Sequence, residues 1–114
     1  MITVLVTGGR DYSDKDKVYS TLNSIHAWKP IIKLVEGGAR GADHLASLWA
    51  QEYKIANETY DANWKKYGKS AGIIRNREML INSKPDLVVA FPGGVGTADM
   101  VARAIKYGVP VRKV

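Results

Sequence analysis

Short apolar runs alternate with helix-like segments along the whole chain of 114 residues, and this alternation limits the folds open to it. Runs rich in β-branched residues predict strands at residues 2–6, 31–35 and 86–90. A more polar run at 55–60 and a proline-containing run at 109–111 predict two edge strands. Because strands that alternate with helices through short connections form right-handed crossovers, we expect an open, mostly parallel sheet of about five strands.

Helical periodicity predicts four helices between or after these strands. Ser13 or Asp14 can cap the first, and the second begins near Ala42. The third covers residues 71–81, and the fourth follows a glycine-rich motif after the last central strand. The polar residues 61–70, which include two aromatics, predict a functional loop. The whole chain is therefore expected to form a single small Rossmann-like α/β domain with helices on both faces of the sheet.

The composition narrows the chemistry available to the chain. There is no cysteine, which excludes disulfides, thiolate zinc sites and cysteine nucleophiles, and the two histidines lie far apart in the sequence. We therefore expect no metal site and no cofactor. Since the sequence has no apolar run of membrane length and no signal-peptide pattern, it predicts a cytoplasmic protein without membrane association.

The chain is basic. Its net charge of +6, from 17 basic and 11 acidic residues, favours anionic partners such as nucleotides or nucleic acid. Small basic proteins also use such a charge for solubility, so the charge alone leaves the partner open.

Eight of the 11 glycines follow predicted strands. They form three groups, behind the first, second and fourth strands: Gly8 and Gly9; Gly37, Gly38 and Gly41; and Gly93, Gly94 and Gly96. The carboxyl ends of parallel strands meet at one edge of a sheet, where doubly wound folds bind their ligands. A tight turn alone also recruits glycine, but three groups at one edge, each beside polar residues, predict a binding site.

The third group belongs to the motif Phe91-Pro92-Gly93-Gly94-Val95-Gly96-Thr97, which joins a strand to a helix. Such a junction presents free backbone N–H groups and the positive end of the helix dipole to an anion. We therefore predict that phosphate is bound by Gly93, Gly94, Gly96 and Thr97. None of the glycine groups matches the dinucleotide-binding or Walker fingerprints, so both of these binding modes are disfavoured.

The other two glycine groups supply the remaining candidates for ligand contact, which are Gly8, Gly9, Arg10, Glu36, Gly37, Gly38 and Arg40. Arg10 is expected to pair with phosphate, the alternative being a solvent-exposed arginine. Glu36, at the end of the second strand, is the candidate for a ribose hydroxyl. Asp43 can bond a ribose hydroxyl or act as an acid–base group, or it can simply complement the dipole of the second helix. Trp64 can stack on a base or anchor its own loop.

Several separated motifs together resemble the SLOG superfamily, which includes the Lonely Guy phosphoribohydrolases and the DNA-processing protein A group, and most closely its YspA-like branch. The strings that carry the resemblance are Val6-Thr7-Gly8-Gly9-Arg10-Asp11-Tyr12, Gly37-Gly38-Ala39-Arg40-Gly41-Ala42-Asp43, Ala62-Asn63-Trp64, Tyr67-Gly68-Lys69, Ala71-Gly72-Ile73-Ile74-Arg75-Asn76-Arg77-Glu78-Met79-Leu80, and Pro92 through Met100. The resemblance covers nearly the whole chain and implies a nucleotide-related ligand.

For the Lonely Guy enzymes, the resemblance implies cleavage of the N-glycosidic bond of a nucleoside 5′-monophosphate by an arginine and a glutamate. The arginine position falls on Arg77, which is two residues from Arg75 and so points about 160° away from it on a regular helix. The glutamate position falls on Met100, which cannot exchange a proton. If the chain is an enzyme, the catalytic candidates are therefore Arg77, Asp99 and Asp43.

These observations leave three hypotheses. The first is a protein that binds a nucleotide or nucleotide-derived ligand as a sensor, sequestering protein or nucleotide-processing enzyme. The second is a phosphoribohydrolase or N-glycosidase that uses another carboxylate in place of the missing glutamate. The third, ranked last because lysine and arginine are spread over every segment, is single-stranded DNA binding. The resemblance also implies a homo-oligomer, for which the third helix and the face of Trp49 are candidate interfaces.

Overall fold

The computed structural model describes all residues, 1–114, and contains five strands and five helices. In chain order these are β1 (Ile2–Thr7), α1 (Lys15–Trp28), β2 (Ile31–Glu36), α2 (Ala42–Glu52), β3 (Ala56–Thr59), α3 (Trp64–Tyr67), α4 (Ala71–Ser83), β4 (Leu87–Ala90), α5 (Val95–Lys106) and β5 (Val111–Lys113), with a 3-10 turn, Gly68–Ser70, between α3 and α4. No helix combines the length and the apolarity that crossing a membrane requires.

All five strands are parallel and lie in the order β3-β2-β1-β4-β5. The chain moves outward from β1 to β3 in one direction, then returns to the other side of β1 for β4 and β5. With right-handed crossovers, α1 and α2 cover one face of the sheet and α4 and α5 the other. The predicted Rossmann-like α/β domain is therefore confirmed, and the sheet is fully parallel.

The core has two parts, one on each face of the sheet. Val4, Val6 and Leu34 pack under α1 and α2, while Leu5 and Val88 pack under α4 and α5. This alternation along β1 follows from the two-residue period of a strand, so a central strand must be apolar at every position.

Trp49 lies inside the first core cluster and is fully buried, with its indole N–H donating to Asn23 Oδ1 at 2.8 Å. It packs edge-on against His26 and beside Tyr53. The expectation that the face of Trp49 supplies a subunit interface is therefore wrong, because α1 already covers that side chain.

Local details differ from the sequence expectations at two places. The predicted loop at residues 61–70 contains α3, which Asn63 caps by accepting from the Lys66 amide at 3.0 Å. The last strand begins at Val111, just after Pro110, so the proline precedes the strand.

The predicted cap of the first helix is confirmed. Of the two candidates, Asp14 caps α1 and accepts from the Lys17 amide at 3.0 Å.

The chain reverses its direction across the sheet between β1 and β4. Adjacent parallel strands whose connections leave in opposite directions open a crevice at their carboxyl ends, and ligands bind there in open α/β sheets. In this chain that crevice is bounded by the turns that follow β1 and β4.

Candidate functional site

A cavity of about 500 Å³ occupies the crevice at the carboxyl end of β1. Its walls come from the end of β1 and the turn after it, the start of α2, the α3 segment with the 3-10 turn after it, the first nine residues of α4 and the first turn of α5. The lining residues are Val6, Thr7, Gly8, Gly9, Arg10, Ala39, Asp43, Trp64, Lys69, Gly72, Ile73, Arg75, Asn76, Met79, Gly94, Val95, Gly96 and Thr97. Eight of the residues predicted from sequence thus meet in one place: Gly8, Gly9, Arg10, Asp43, Trp64, Gly94, Gly96 and Thr97.

The amino end of α5 opens into this cavity without a cap. Gly94 occupies the N-cap position and offers no side chain, and the first backbone bond runs from the Ala98 amide to the Gly94 carbonyl at 3.0 Å. The amides of Val95, Gly96 and Thr97 are therefore free, as helix geometry requires of the first turn. A Cβ atom added at Gly94 or Gly96 would meet no atom within 4 Å, so the approach to these amides is open.

Gly93 has a different role. The Gly9 amide donates to the Pro92 carbonyl at 2.9 Å, which ties the β1–α1 turn to the β4–α5 turn. A Cβ atom at Gly93 would lie 2.6 Å from the Gly9 nitrogen and would also collide with the Thr97 side chain. Gly93 therefore allows two turns to touch and does not line the cavity, although it was predicted to bind phosphate.

Three cationic side chains line the cavity: Arg10, Lys69 and Arg75. The guanidinium carbon of Arg10 lies 5.1 Å from the ring centroid of Trp64, so the two side chains form a cation–π pair at the cavity. Trp64 is 47% exposed and offers ring surface to a ligand. Lys69 belongs to one of the strings that carry the family resemblance, but it was not predicted as a site residue because it is one lysine among three near Trp64.

Arg75 is half-buried and is held by several acceptors. It donates to the Gly37 carbonyl, to the Tyr60 carbonyl at 3.4 Å and, through Nε, to Asn76 Oδ1 at 3.1 Å. Burial lowers the pKa of Arg75, while the nearby Asp43 carboxylate raises it. Arg75 thus fixes the turn after β2 against α4 and places positive charge in the cavity wall.

Arg77 and Arg40 lie outside the cavity. Arg77 is exposed on the other side of α4, so the arginine that faces the site is Arg75. The 160° separation predicted between the two side chains is the reason only one reaches it. Arg40 is exposed and pairs at the surface with Asp11, at 3.4 Å. The structure therefore does not place Arg77 or Arg40 in the cavity, although both were predicted as site residues.

Asp43 is a buried carboxyl group at the cavity wall. Its Oδ2 accepts from the Gly37 amide at 3.2 Å and from the Ala39 amide at 3.3 Å. Burial raises the pKa of Asp43 to about 7, against the opposing effects of these amides and of Arg75. A carboxyl group that exchanges its proton near neutrality can act as a general acid or base.

Glu36 does not reach the cavity. It is buried at the end of β2, where Oε1 accepts from the Gly38 amide at 2.8 Å and Oε2 from Asn57 at 3.1 Å and from the Thr59 hydroxyl. These bonds hold the edge strand β3 and the turn after β2. Gly37 and Gly38 do not line the cavity either, because the Arg75 side chain lies against Gly37 and the Asp61 side chain lies against Gly38. The glycines after β2 therefore support the site from outside the cavity.

Asp99 faces α4 and not the cavity. It accepts from Asn76 Nδ2 at 3.1 Å and forms an ion pair with Arg103 at 2.9 Å. Asn76 is buried and also donates to the Gly96 carbonyl at 3.0 Å, which fixes the first turn of α5 relative to α4. Met100 is fully buried in the second core cluster, so a glutamate side chain at its position would point into apolar core.

The described residues contain no group of three or more histidine, cysteine, aspartate or glutamate side chains that can hold a metal ion. The site is instead cationic and rich in backbone amides. It can hold an anion at the start of α5 and a planar group near Trp64, and its wall includes Asp43, a carboxyl group of raised pKa.

A fully parallel five-strand sheet with helices on both faces, and a cavity at its switch point, defines a Rossmann-like α/β domain. A model of the YspA, cpYpsA-related SLOG family matches residues 2–67, more than half of the chain. The chain is also similar to the Gene 61 protein of Mycobacterium phage D29, with 38% identity over 97% of this chain and 94% of that protein. The chain belongs to the YspA, cpYpsA-related SLOG family.

Proposed function

We propose that this chain binds a nucleotide or nucleotide-derived ligand in the cavity at the carboxyl edge of the sheet. The observation that carries the proposal is the convergence of three cationic side chains with the uncapped first turn of α5 in one cavity. Membership of the SLOG family supports a nucleotide-related function.

The phosphate is expected at the start of α5. Free amides and the positive end of a helix dipole bind phosphate, and the effect is strongest where a charged donor adds to it. Arg10 and Lys69 line the same cavity and can supply that donor.

The base is expected near Trp64. Its ring is about half exposed, and a planar base can take the place beside it that Arg10 now occupies or can extend the same stack. A cavity of about 500 Å³ is in the usual range for small-molecule sites, so it has room for a nucleotide.

Binding is the favoured activity because the position of the Lonely Guy glutamate is occupied by the core residue Met100. A protein that holds a nucleotide without this acid acts as a sensor or a sequestering protein. Such a protein releases its ligand unchanged unless another group cleaves it, and Asp43 is the residue to test for cleavage.

Isothermal titration against AMP, GMP, ADP-ribose and cyclic nucleotides tests the binding proposal, with adenosine as the ligand that lacks phosphate. We expect at least one phosphorylated compound to bind and adenosine to bind at least about tenfold more weakly, a difference of about 1.4 kcal/mol. Arg10→Ala should weaken binding, whereas Arg40→Ala, an arginine outside the cavity, should not. Folded protein that binds none of the phosphorylated compounds would overturn the proposal.

A second candidate function is hydrolysis of the N-glycosidic bond, and the cavity position of Asp43 favours it. In this reaction protonated Asp43 gives its proton to the departing base, and water adds to the ribose carbon and returns a proton to the carboxylate. The products are free base and ribose 5-phosphate. A carboxyl group with a pKa of about 7 can hold that proton at neutral pH.

Chromatographic detection of free base after incubation with nucleoside monophosphates separates the two candidates. If the chain is a hydrolase, Asp43→Asn should reduce the rate by about a hundredfold or more while leaving nucleotide affinity within a few-fold. Arg77→Ala is the control, since Arg77 lies outside the cavity. Equal rates in the Asp43 variant and the parent would exclude Asp43 as the acid.

A further inference from the structure

Arg10 and Trp64 contact each other in the cavity in which each is expected to contact a ligand. The guanidinium carbon of Arg10 lies 5.1 Å from the centroid of the indole ring, and both residues line the cavity. The two contacts proposed for a nucleotide, phosphate on Arg10 and base on Trp64, therefore compete with a contact that the chain makes with itself.

No carboxylate pairs with Arg10, since the ion pairs of the chain involve other residues. A second cation acts on it instead. Burial is the main cause that lowers the pKa of Arg75, and the positive charge of Arg10 lowers it further. The two guanidinium groups are thus close enough to repel each other. An anion that binds Arg10 weakens this repulsion and supplies the partner of opposite charge that Arg10 lacks.

The main chain places Arg10 beside the turn that leads into α5. The Gly9 amide donates to the Pro92 carbonyl at 2.9 Å, so the turn that carries Arg10 touches the turn before α5. Because the Arg10 side chain is exposed, it can change rotamer without displacing packed atoms. Its guanidinium can therefore leave the Trp64 ring and join the free amides of α5 around a phosphate.

The Trp64 ring is positioned by α4 and partly covered by Arg10. A Cβ atom added at Gly72 would lie 3.4 Å from Cη2 of Trp64, so one edge of the ring lies against the first turn of α4. The guanidinium of Arg10 takes up ring surface that a planar base needs for stacking. A base can use this surface only after Arg10 has moved away from it.

On the basis of the proposed nucleotide site, we propose that the Arg10–Trp64 pair selects ligands that carry a phosphate and a base in one molecule. A phosphate draws Arg10 off the ring, because a charge-assisted arginine–phosphate contact is stronger than a cation–π contact at an exposed site. The base then stacks on the ring surface that Arg10 leaves.

The two halves of a nucleotide therefore assist each other. A nucleoside has to displace Arg10 from Trp64 without offering the guanidinium a new partner. Phosphate alone breaks the same contact and leaves the ring surface uncovered. Each half by itself binds against the cost of separating the pair, whereas a nucleotide replaces both sides of the broken contact.

Arg10→Ala should change nucleotide and nucleoside binding in opposite directions. It removes the phosphate contact, so AMP and GMP should bind about tenfold more weakly. It also uncovers the ring, so adenosine and guanosine should bind about two- to fivefold more tightly, the size of an exposed cation–π contact. Arg40→Ala, an arginine at the surface, should change neither affinity. NMR titrations followed on the Trp64 indole N–H, assigned with Trp64→Leu, measure strong and weak binding alike.

Trp64→Leu tests the pair from the other side. It releases Arg10, so inorganic phosphate at constant ionic strength should bind about two- to fivefold more tightly, while AMP and GMP lose their stacking surface and bind more weakly. Tyr67→Leu is the matched control, because Tyr67 is an exposed aromatic of the same helix that does not line the cavity. The amide resonances of Gly96 and Thr97 report phosphate binding in each protein, and circular dichroism confirms that each is folded.

The outcomes separate this proposal from the nucleotide site on which it rests. Suppose that AMP or GMP binds the parent and Arg10→Ala weakens that binding. Adenosine and guanosine affinities that stay the same or fall in Arg10→Ala, or phosphate affinity that does not rise in Trp64→Leu, would then overturn the selection by the Arg10–Trp64 pair alone. Folded parent protein that binds no nucleotide would overturn both proposals.

Discussion

At the scale of single residues, burial decides what the charged side chains can do. Arg75 and Arg77 have the same chemistry and lie one turn or less apart, yet one enters the cavity wall and the other faces solvent. Asp43 and Asp99 are likewise both acidic residues in the amino-terminal halves of helices, but only Asp43 lines the cavity.

Asp43 should make the stability of the fold depend on pH. The pKa of its carboxyl group is about 7 in the folded chain and near 3.8 when unfolded, so the folded state keeps its proton longer as pH rises. The stabilisation that the protonated Asp43 gives the fold is therefore fully present below about pH 4 and is lost as pH rises through about 7. This loss lowers the free energy of unfolding by at most about 4 kcal/mol. Urea unfolding of the parent and Asp43→Asn across this range measures it.

The quantity to follow is the difference in unfolding free energy between the parent and Asp43→Asn at each pH. The other titrating groups contribute equally to both proteins, so their effects drop out of this difference. This difference should move in favour of Asp43→Asn as pH rises from about 4 to 7. A difference that stays constant over the range would show that the carboxyl group titrates normally.

Arg75 and Arg77 provide a matched pair for stability. Arg75→Ala leaves the Gly37 and Tyr60 carbonyls without their donor and should lower the free energy of unfolding by about 2–4 kcal/mol. Arg77→Ala removes an exposed side chain and should change it by no more than about 0.5 kcal/mol. Chemical denaturation at fixed pH measures both, and equal effects would contradict the assignment of Arg75 to the wall.

At the scale of elements, the site depends on how α4 and α5 meet. Asn76 on α4 donates to the Gly96 carbonyl and to Asp99, so α4 sets the orientation of the first turn of α5. The strand–glycine–helix pattern predicted that this turn presents free amides, and the structure has them uncapped. The pattern did not predict Asn76 as their support, because the contact joins residues 20 positions apart.

Gly96→Ala separates helix stability from anion binding. Alanine is favoured over glycine in a helix by up to about 1 kcal/mol, and a methyl group at this position meets no atom within 4 Å. The variant should therefore be at least as stable as the parent. The added methyl group lies beside the free amides, so affinity for phosphorylated ligands should fall about tenfold or more.

Thermal unfolding and titration calorimetry of Gly96→Ala measure these two effects on one protein. A variant that binds as tightly as the parent would show that the first turn of α5 is not the anion site. A loss of stability would show instead that this position is more crowded than its surroundings indicate.

At the scale of the whole molecule, the two core clusters share the central strands β1 and β4. Because both helical layers pack on the same sheet, the domain should unfold in one cooperative transition. A ligand held between the turns after β1 and β4 then stabilises the entire fold and not one layer of it.

This linkage gives a prediction for thermal unfolding. A phosphorylated ligand at about 100 times its dissociation constant adds about 2.7 kcal/mol to the free energy of unfolding, which raises the Tm of a domain of this size by roughly 10 °C. Differential scanning calorimetry should show one transition that moves with ligand concentration. Adenosine should produce a much smaller shift, and an equal shift would exclude phosphate as the recognised group.

The sequence by itself determined the order of strands and helices, the parallel sheet and the edge at which the cavity lies. These follow from local properties: two-residue and 3.6-residue apolar periods, β-branched runs and glycines at strand ends. Tertiary structure alone decided which members of each local group reach the cavity. Arg75 replaces Arg77, Lys69 joins the site, and Glu36, Gly93 and Asp99 hold the scaffold, because long-range packing sets the rotation of each helix and the depth of each turn.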